Sequence, residues 1–111
     1  MNIQIYGKKK CFDTKKAQRW FQERRIPFQE IDLPKYGMSA GELTSVKKAV
    51  GGLGALIDGS HRDAAMLNYL AYEADREQKL LEDPTLLKTP IVRNGKQATV
   101  GYCPEIWETW K

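Results

Sequence analysis

The stretch Asn2-Ile3-Gln4-Ile5-Tyr6-Gly7-Lys8-Lys9-Lys10-Cys11-Phe12-Asp13-Thr14-Lys15-Lys16-Ala17 decides how this chain folds. Its opening alternates, with Ile3 and Ile5 on one face, which predicts a short strand over residues 2–6. Gly7 and the lysine triplet break that period as a loop. A helix is expected from Thr14, capped by Asp13 or Thr14, with Ala17, Trp20 and Phe21 at i, i+3 and i+4 on its apolar face. Arg24 and Arg25 suit the negative end of its dipole, and Pro27 marks its end. Phe28 to Leu33 reads as a second strand closed by Pro34. Strand, helix and strand within about 33 residues form a βαβ unit, so the two strands are expected to run parallel.

Outward from this unit the period changes twice. Ser39-Ala40-Gly41-Glu42 is a capping-box pattern opening a helix through Leu43, Val46, Lys47 and Val50, interrupted at Gly51-Gly52 and Gly54. Further helices are expected over Asp63 to Tyr72 and Asp75 to Glu82, and Pro84 closes this block. Ile91-Val92 then reads as a strand, Asn94-Gly95 as a two-residue hairpin loop, and Ala98 to Tyr102 as the returning strand. Pro104 opens a final helix carrying Ile106, Trp107 and Trp110, whose tryptophans at i and i+3 read as core. The order is β-α-β, a helical insertion at about 38–84, then β-β-α. This is an α/β plan of the thioredoxin-like kind with a mixed sheet, in one domain over 1–111; the order alone also allows other α/β sandwiches, so the choice between them rests on the site.

Composition removes several function classes. No apolar run approaches the ~18 residues of a membrane span. The N-terminus lacks the apolar region and small-residue site of a signal peptide, so the expected address is the cytoplasm. Two cysteines cannot staple a secreted scaffold, and neither belongs to a Cys-x-x-Cys zinc pair. A single histidine, His61 in a polar loop, leaves no room for a His-rich metal site, and no metal is expected. The net charge of +4 is uneven: residues 1–25 carry eight basic and two acidic side chains, and the rest carries ten basic and twelve acidic. With no basic stripe or nucleic-acid motif, that charge reads as a field around Cys11, and no nucleic acid is expected as partner.

Cys11 follows a strand and loop and precedes a helix. There a thiol meets unpaired backbone N–H groups and the positive end of a helix dipole. The lysines Lys8, Lys9, Lys10, Lys15 and Lys16 add cationic field, and both effects favour the nucleophilic thiolate. Thr89-Pro90, ahead of an apolar strand, is open to two readings: edge punctuation, or a cis-proline whose backbone faces a reactive thiol. Cys103, between Tyr102 and Pro104, reads as structural unless it lies within bonding reach of Cys11. Lys47-Lys48 reads as a solvated helix face.

Tyr6-Gly7-x-Lys9-x-Cys11-x-x-x-Lys15-Lys16-Ala17-x-Arg19-Trp20, Ile26-Pro27-Phe28 and the Asp32-Leu33 strand end resemble the arsenate reductase (ArsC)/Spx family, most of all its uncharacterised arsenate-reductase-like branch. Thr89-Pro90-Ile91-Val92 and Val100-Gly101-Tyr102 resemble its second half. The resemblance implies a thioredoxin-like fold, Cys11 as redox nucleophile, a cis Pro90 beside it, and glutathione or a glutaredoxin as thiol partner. Glutathione is then a co-substrate rather than a bound cofactor. On this reading Lys9, Lys15 and Thr14 stabilise the thiolate or an anion, and Thr89, Pro90 and Arg93 line the substrate or glutathione site. The chain departs from arsenate reductases where they place oxyanion-binding arginines: those positions correspond to Lys15, Thr89 and the neighbourhood of Asp58, close to Arg62. Arginine and lysine are not equivalent for bidentate oxyanion binding, and an aspartate repels one. It also departs from the Cys-x-x-Cys switch of Spx regulators, since Thr14 stands at the second cysteine. The expected function is a glutathione-dependent thiol–disulfide oxidoreductase using one cysteine. The alternatives are an Spx-like adaptor for a protein partner such as RNA polymerase, and arsenate reduction itself.

Overall fold

The computed structural model describes residues 1–111. Four strands, β1 (Ile3–Gly7), β2 (Phe28–Asp32), β3 (Ile91–Asn94) and β4 (Gln97–Val100), form one sheet in the order β2-β1-β3-β4. β1 pairs parallel with β2, and antiparallel pairing joins β1 to β3 and β3 to β4. Five α-helices accompany them: α1 (Phe12–Glu23), α2 (Leu33–Tyr36), α3 (Ala40–Val50), α4 (Glu73–Glu82) and α5 (Pro104–Glu108).

The alternation of β1 divides the core. Ile3 and Ile5, with Val92 of β3, face Ala17, Trp20 and Phe21 of α1 and Trp107 of α5. Tyr6 and Ile91 point to the opposite face, where Leu43 and Val46 of α3, Leu80 of α4 and Leu86-Leu87 cover them. On the first face Trp20, Phe21 and Trp107 pack with ring centroids 4.8–5.4 Å apart, and the Trp107 indole donates a buried 2.8 Å hydrogen bond to Thr99 Oγ1. On the second, the capping box is present as expected. Glu42 N donates to Ser39 Oγ, and Ser39 N donates to Glu42 Oε1. Glu42 Oε2 also accepts the Tyr6 hydroxyl and lies 3.7 Å from Arg93 Nη1, which moors α3 to the sheet.

Several local expectations are corrected. Helix α1 begins at Phe12 with Cys11 as its N-cap residue, because Thr14 turns its side chain towards β1 instead of capping. Leu33 leaves the strand and opens α2, with Pro34 in that helix's first turn, where a missing N–H costs nothing. The segment expected as a helix over 63–72 is a 3₁₀ turn over Ala64–Tyr69. The Leu67 carbonyl, which an α-helix would give to the N–H four residues on, is taken by Leu70 N–H and Arg76 Nε. The hairpin loop is Gly95-Lys96, one residue later than expected. Asn94 stays in β3 because it pairs with Ile3 and accepts the Asn2 N–H, and Gly95 takes the positive φ of 61° that such a loop requires. Lys47 is not simply solvated: it pairs with Glu73, at 3.5 Å, and with Glu77, tying α3 to α4. No helix is long and apolar enough to cross a membrane.

Trp107 fills the centre of one face and holds a buried hydroxyl. Replacing it by alanine is expected to lower the unfolding free energy by about 3–5 kcal/mol, read as a shift in the urea midpoint.

Candidate active site

At the end of β1 the backbone of Gly7 runs against the side chain of Thr14. A Cβ built on Gly7 would lie 2.2 Å from Thr14 Cγ2, so only glycine permits this approach. Thr14 is buried, and its Oγ1 accepts the Lys8 N–H at 3.5 Å. This contact sets where α1 starts and places Cys11 at its N-terminus, partly exposed. Cys11 N donates to Lys8 O at 3.1 Å, closing the turn.

Across from the sulfur the Thr89–Pro90 peptide is cis, the second of the two readings open in the sequence. The Thr89 carbonyl lies 3.5 Å from Cys11 Sγ, accepting from the thiol. Burial pushes the Cys11 thiol pKa up, but hydrogen bonds from the Thr14 and Thr89 hydroxyls and from the N–H groups of Thr14 and Asp13 outweigh it, and the net shift is down. The leading favourable causes are thus hydrogen bonds around the helix N-terminus rather than the lysine field expected from the sequence.

The sulfur opens into a cleft of about 340 Å³ lined by Lys8, Lys10, Asp58, Lys88 and Thr89. Lys8 is fixed there: its Nζ donates to the Thr85 carbonyl at 2.9 Å and sits 3.7 Å from Asp58. Asp58 also accepts from Ser60 N and Oγ, which together with Lys8 hold its carboxyl below the usual range. Lys10 and Lys88 make no ion pair, so they remain available to an anionic ligand. A short bridge between Ile57 and Leu87, with Asp58 N–H on Leu86 O, brings the insertion to this wall. Phe12, 79% exposed, lies next to Cys11 in sequence at the open end of α1.

The structure thus brings together Cys11, Thr14, Thr89 and Pro90, but not the other residues assigned to the site. Lys9 and Lys15 line a neighbouring cleft, on the β2 side of α1, with Glu30 and Asp32. Arg93 points to the opposite face of the sheet, bound to Glu42 and to Gln4 Oε1 at 3.4 Å. The alternation of β3 explains this, since Arg93 sits two residues beyond Ile91 on the insertion side. Lys88 was missed; its signal was adjacency to Thr89-Pro90. Gly7 was missed as a site residue because its requirement arises only from Thr14. Cys103 is free, packs against the Trp20–Trp107 cluster and donates to the Val100 carbonyl at 3.4 Å. Burial, helped by Glu105, pushes its thiol up. The ligand-type atoms of His61, Asp63 and Asp83 lie within 4.8 Å of one another. Both His61 nitrogens are already engaged, Nδ1 by the Asp63 N–H and Nε2 by Thr85 Oγ1, so His61 anchors its loop rather than standing in solvent.

A mixed four-stranded sheet, a cysteine at the N-terminus of the first helix and a cis-proline facing it define a thioredoxin-like fold. Residues 6–110 match the ArsC family, and the chain belongs to that family. It is 33% identical over 107 residues to global transcriptional regulator Spx 2 of Oceanobacillus iheyensis, covering 92% of this chain and 78% of that protein. Its fold is similar to that of arsenate reductase from Vibrio cholerae, with a TM-score of 0.84 at 23% identity over 96% of this chain and 94% of that one. It also resembles the glutaredoxin-like NrdH-redoxin from Escherichia coli, with a TM-score of 0.53 at 14% identity over 100% and 96% of the two chains.

Thr14→Val keeps the side chain's bulk and removes its hydroxyl. A hydrogen bond to a charged group contributes about 1.5–3 kcal/mol, so the Cys11 alkylation midpoint is expected to rise by about one pH unit or more. Gly7→Ala is expected to shift it the same way while also lowering the thermal midpoint.

Proposed function

We propose that this protein is a thiol–disulfide oxidoreductase that uses Cys11 as its only nucleophile and glutathione as co-substrate. The observation that carries the reading is the setting of the Cys11 sulfur: a helix N-terminus, a Thr14 hydroxyl, and a lowered pKa, opposite a cis-proline and open to unpaired cations. The Cys11 thiolate attacks the glutathionyl sulfur of a mixed disulfide. A Cys11–glutathione disulfide forms, and the substrate leaves as a thiolate with the electron pair of the broken bond. A second glutathione thiolate attacks the bound glutathionyl sulfur, giving glutathione disulfide and restoring the Cys11 thiolate. Thr14 and the helix N–H groups stabilise the charge on Cys11 as it departs. Lys10 and Lys88 draw anionic thiols to the cleft, and the Thr89 backbone offers an extended ligand a partner for pairing. Glutaredoxin is the protein thiol of matching chemistry.

A second reading is favoured by the likeness to a protein named as a transcriptional regulator. In it the chain is an adaptor for a protein partner such as RNA polymerase, and Phe12 beside the thiol contributes to contact. Arsenate reduction fits less well. Asp58 places a carboxylate in the cleft a tetrahedral oxyanion would enter, Thr89 offers no guanidinium, and Lys15 lines the other cleft.

In a Cys103→Ser background, the rate of Cys11 alkylation by iodoacetamide should titrate with a midpoint below about 8.5, the free-thiol value. Glutathione-dependent reduction of hydroxyethyl disulfide should survive Cys103→Ser and vanish in Cys11→Ser. A midpoint at or above the free-thiol value sinks the activated nucleophile, and a low midpoint without turnover leaves the adaptor. With arsenate, glutathione and glutaredoxin, no turnover above the Cys11→Ser background is expected, measured as NADPH consumption in a coupled assay.

A further inference from the structure

The neighbouring cleft, about 290 Å³, has charged walls that the proposed chemistry does not use. Lys9 and Lys15 stand on the loop and on α1, Gln18 one turn further along α1, Glu30 in the middle of β2 and Asp32 at its C-terminal end. Opposite charges brought to one cleft ordinarily close into pairs. Here they do not: none of these five side chains takes part in an ion pair or a side-chain hydrogen bond, whereas in the Cys11 cleft Asp58 is paired with Lys8. The cleft therefore holds both an unpaired cationic wall and an unpaired anionic wall, a few side chains apart. It adjoins the sulfur through two residues, one of them shared by both clefts. Lys8 lines both clefts, and Thr14, which lines this one, hydrogen-bonds to Cys11.

A ligand that satisfies both walls carries a carboxylate and an ammonium close together. A single carboxylate would meet Lys9 and Lys15 but be opposed by Glu30 and Asp32, and a lone amine would meet the reverse. Resting on the reading of Cys11 as a glutathione-dependent thiol, we propose that this cleft binds the α-amino-acid head of the γ-glutamyl arm of glutathione. Lys9 and Lys15 face the carboxylate, and Glu30 and Asp32 face the ammonium. The site then selects glutathione over other small thiols by its zwitterionic end, while the reacting sulfur sits in the Cys11 cleft.

The test compares disulfide exchange of Cys11, in a Cys103→Ser background, with three reagents. These are oxidised glutathione, the disulfide of its desamino analogue (glutaryl-cysteinylglycine), and hydroxyethyl disulfide. In each exchange one S–S bond breaks as another forms, and the leaving thiolate carries off the electron pair. The exchange constants are read by mass spectrometry in wild type, Glu30→Gln, and Glu30→Gln with Asp32→Asn. Glu30 is exposed on an edge strand, so its single variant retains the fold. Removing acidic side chains makes the protein more positive, and general electrostatics would then favour both anionic reagents. The proposal requires the opposite for glutathione alone: a drop of about tenfold in the double variant, the scale of one charge-assisted hydrogen bond, with the desamino analogue unchanged or improved and hydroxyethyl disulfide unchanged. If glutathione and its desamino analogue change in parallel, the cleft is only a charged surface and the inference is overturned. If hydroxyethyl disulfide exchanges as well as glutathione in wild type, the inference falls while the nucleophile stands. If no reagent exchanges, the reading of Cys11 itself has failed.

Discussion

The close approach of Thr14 to the backbone of Gly7 is the contact on which the rest of the site depends. It joins the end of the central strand to the start of the first helix with no atom between them. The helix therefore starts at Phe12, and Cys11 occupies the position where donors converge. The same threonine holds the loop through the Lys8 N–H and turns a hydroxyl to the sulfur. One side chain thus fixes the position of the Cys11 sulfur and favours its charged form. A bulkier residue at position 7 disturbs both together.

The sheet distributes its two faces to different tasks. The face of Ile3, Ile5 and Val92 is sealed by aromatic rings from the two helices that bracket the sequence, α1 and α5. The other face is covered by the insertion, whose leucines form the larger core cluster. On that face, between the sheet and α3, Tyr6, Glu42 and Arg93 make a polar seam. Burial, with the Glu42 carboxylate beside it, pushes the Tyr6 hydroxyl up to about 12, so it stays a donor throughout the working pH range. Arg93 compensates the charge of Glu42 at that seam, which is why it is not available to a ligand at the Cys11 cleft.

What the sequence made legible was whatever local chemistry decides. The βαβ unit, the Ser39–Glu42 capping box and the N-terminal placement of Cys11 each follow from residues within a few positions of one another. Membership of the ArsC family was carried by a motif equally local. Less legible was anything set by the path of the chain in space. The lysines at 8, 9, 10 and 15 look alike in the sequence, but the helix start and the turn at Lys8 send Lys10 to one cleft and Lys9 and Lys15 to another, with Lys8 lining both. Lys88 and Asp58 reach the sulfur only through the Ile57–Leu87 bridge, which joins segments thirty residues apart. The helix expected over 63–72 failed for a related reason: only Leu67 of Ala64–Tyr69 is buried, and an arginine from α4 competes for its carbonyl.

The Lys8 side chain has a consequence for how the cleft meets its ligand. By holding both the Thr85 carbonyl and Asp58, it clamps the insertion to the loop that carries Cys11. The wall beside the sulfur is therefore held in place by contacts within the chain itself. Association then loses little conformational freedom of the protein, and discrimination between ligands rests on complementarity to a standing surface rather than on motion. Residues of the 57–60 turn can be exchanged to retune such a surface while the sheet is left untouched, and relatives of this fold bear names as different as arsenate reductase and transcriptional regulator.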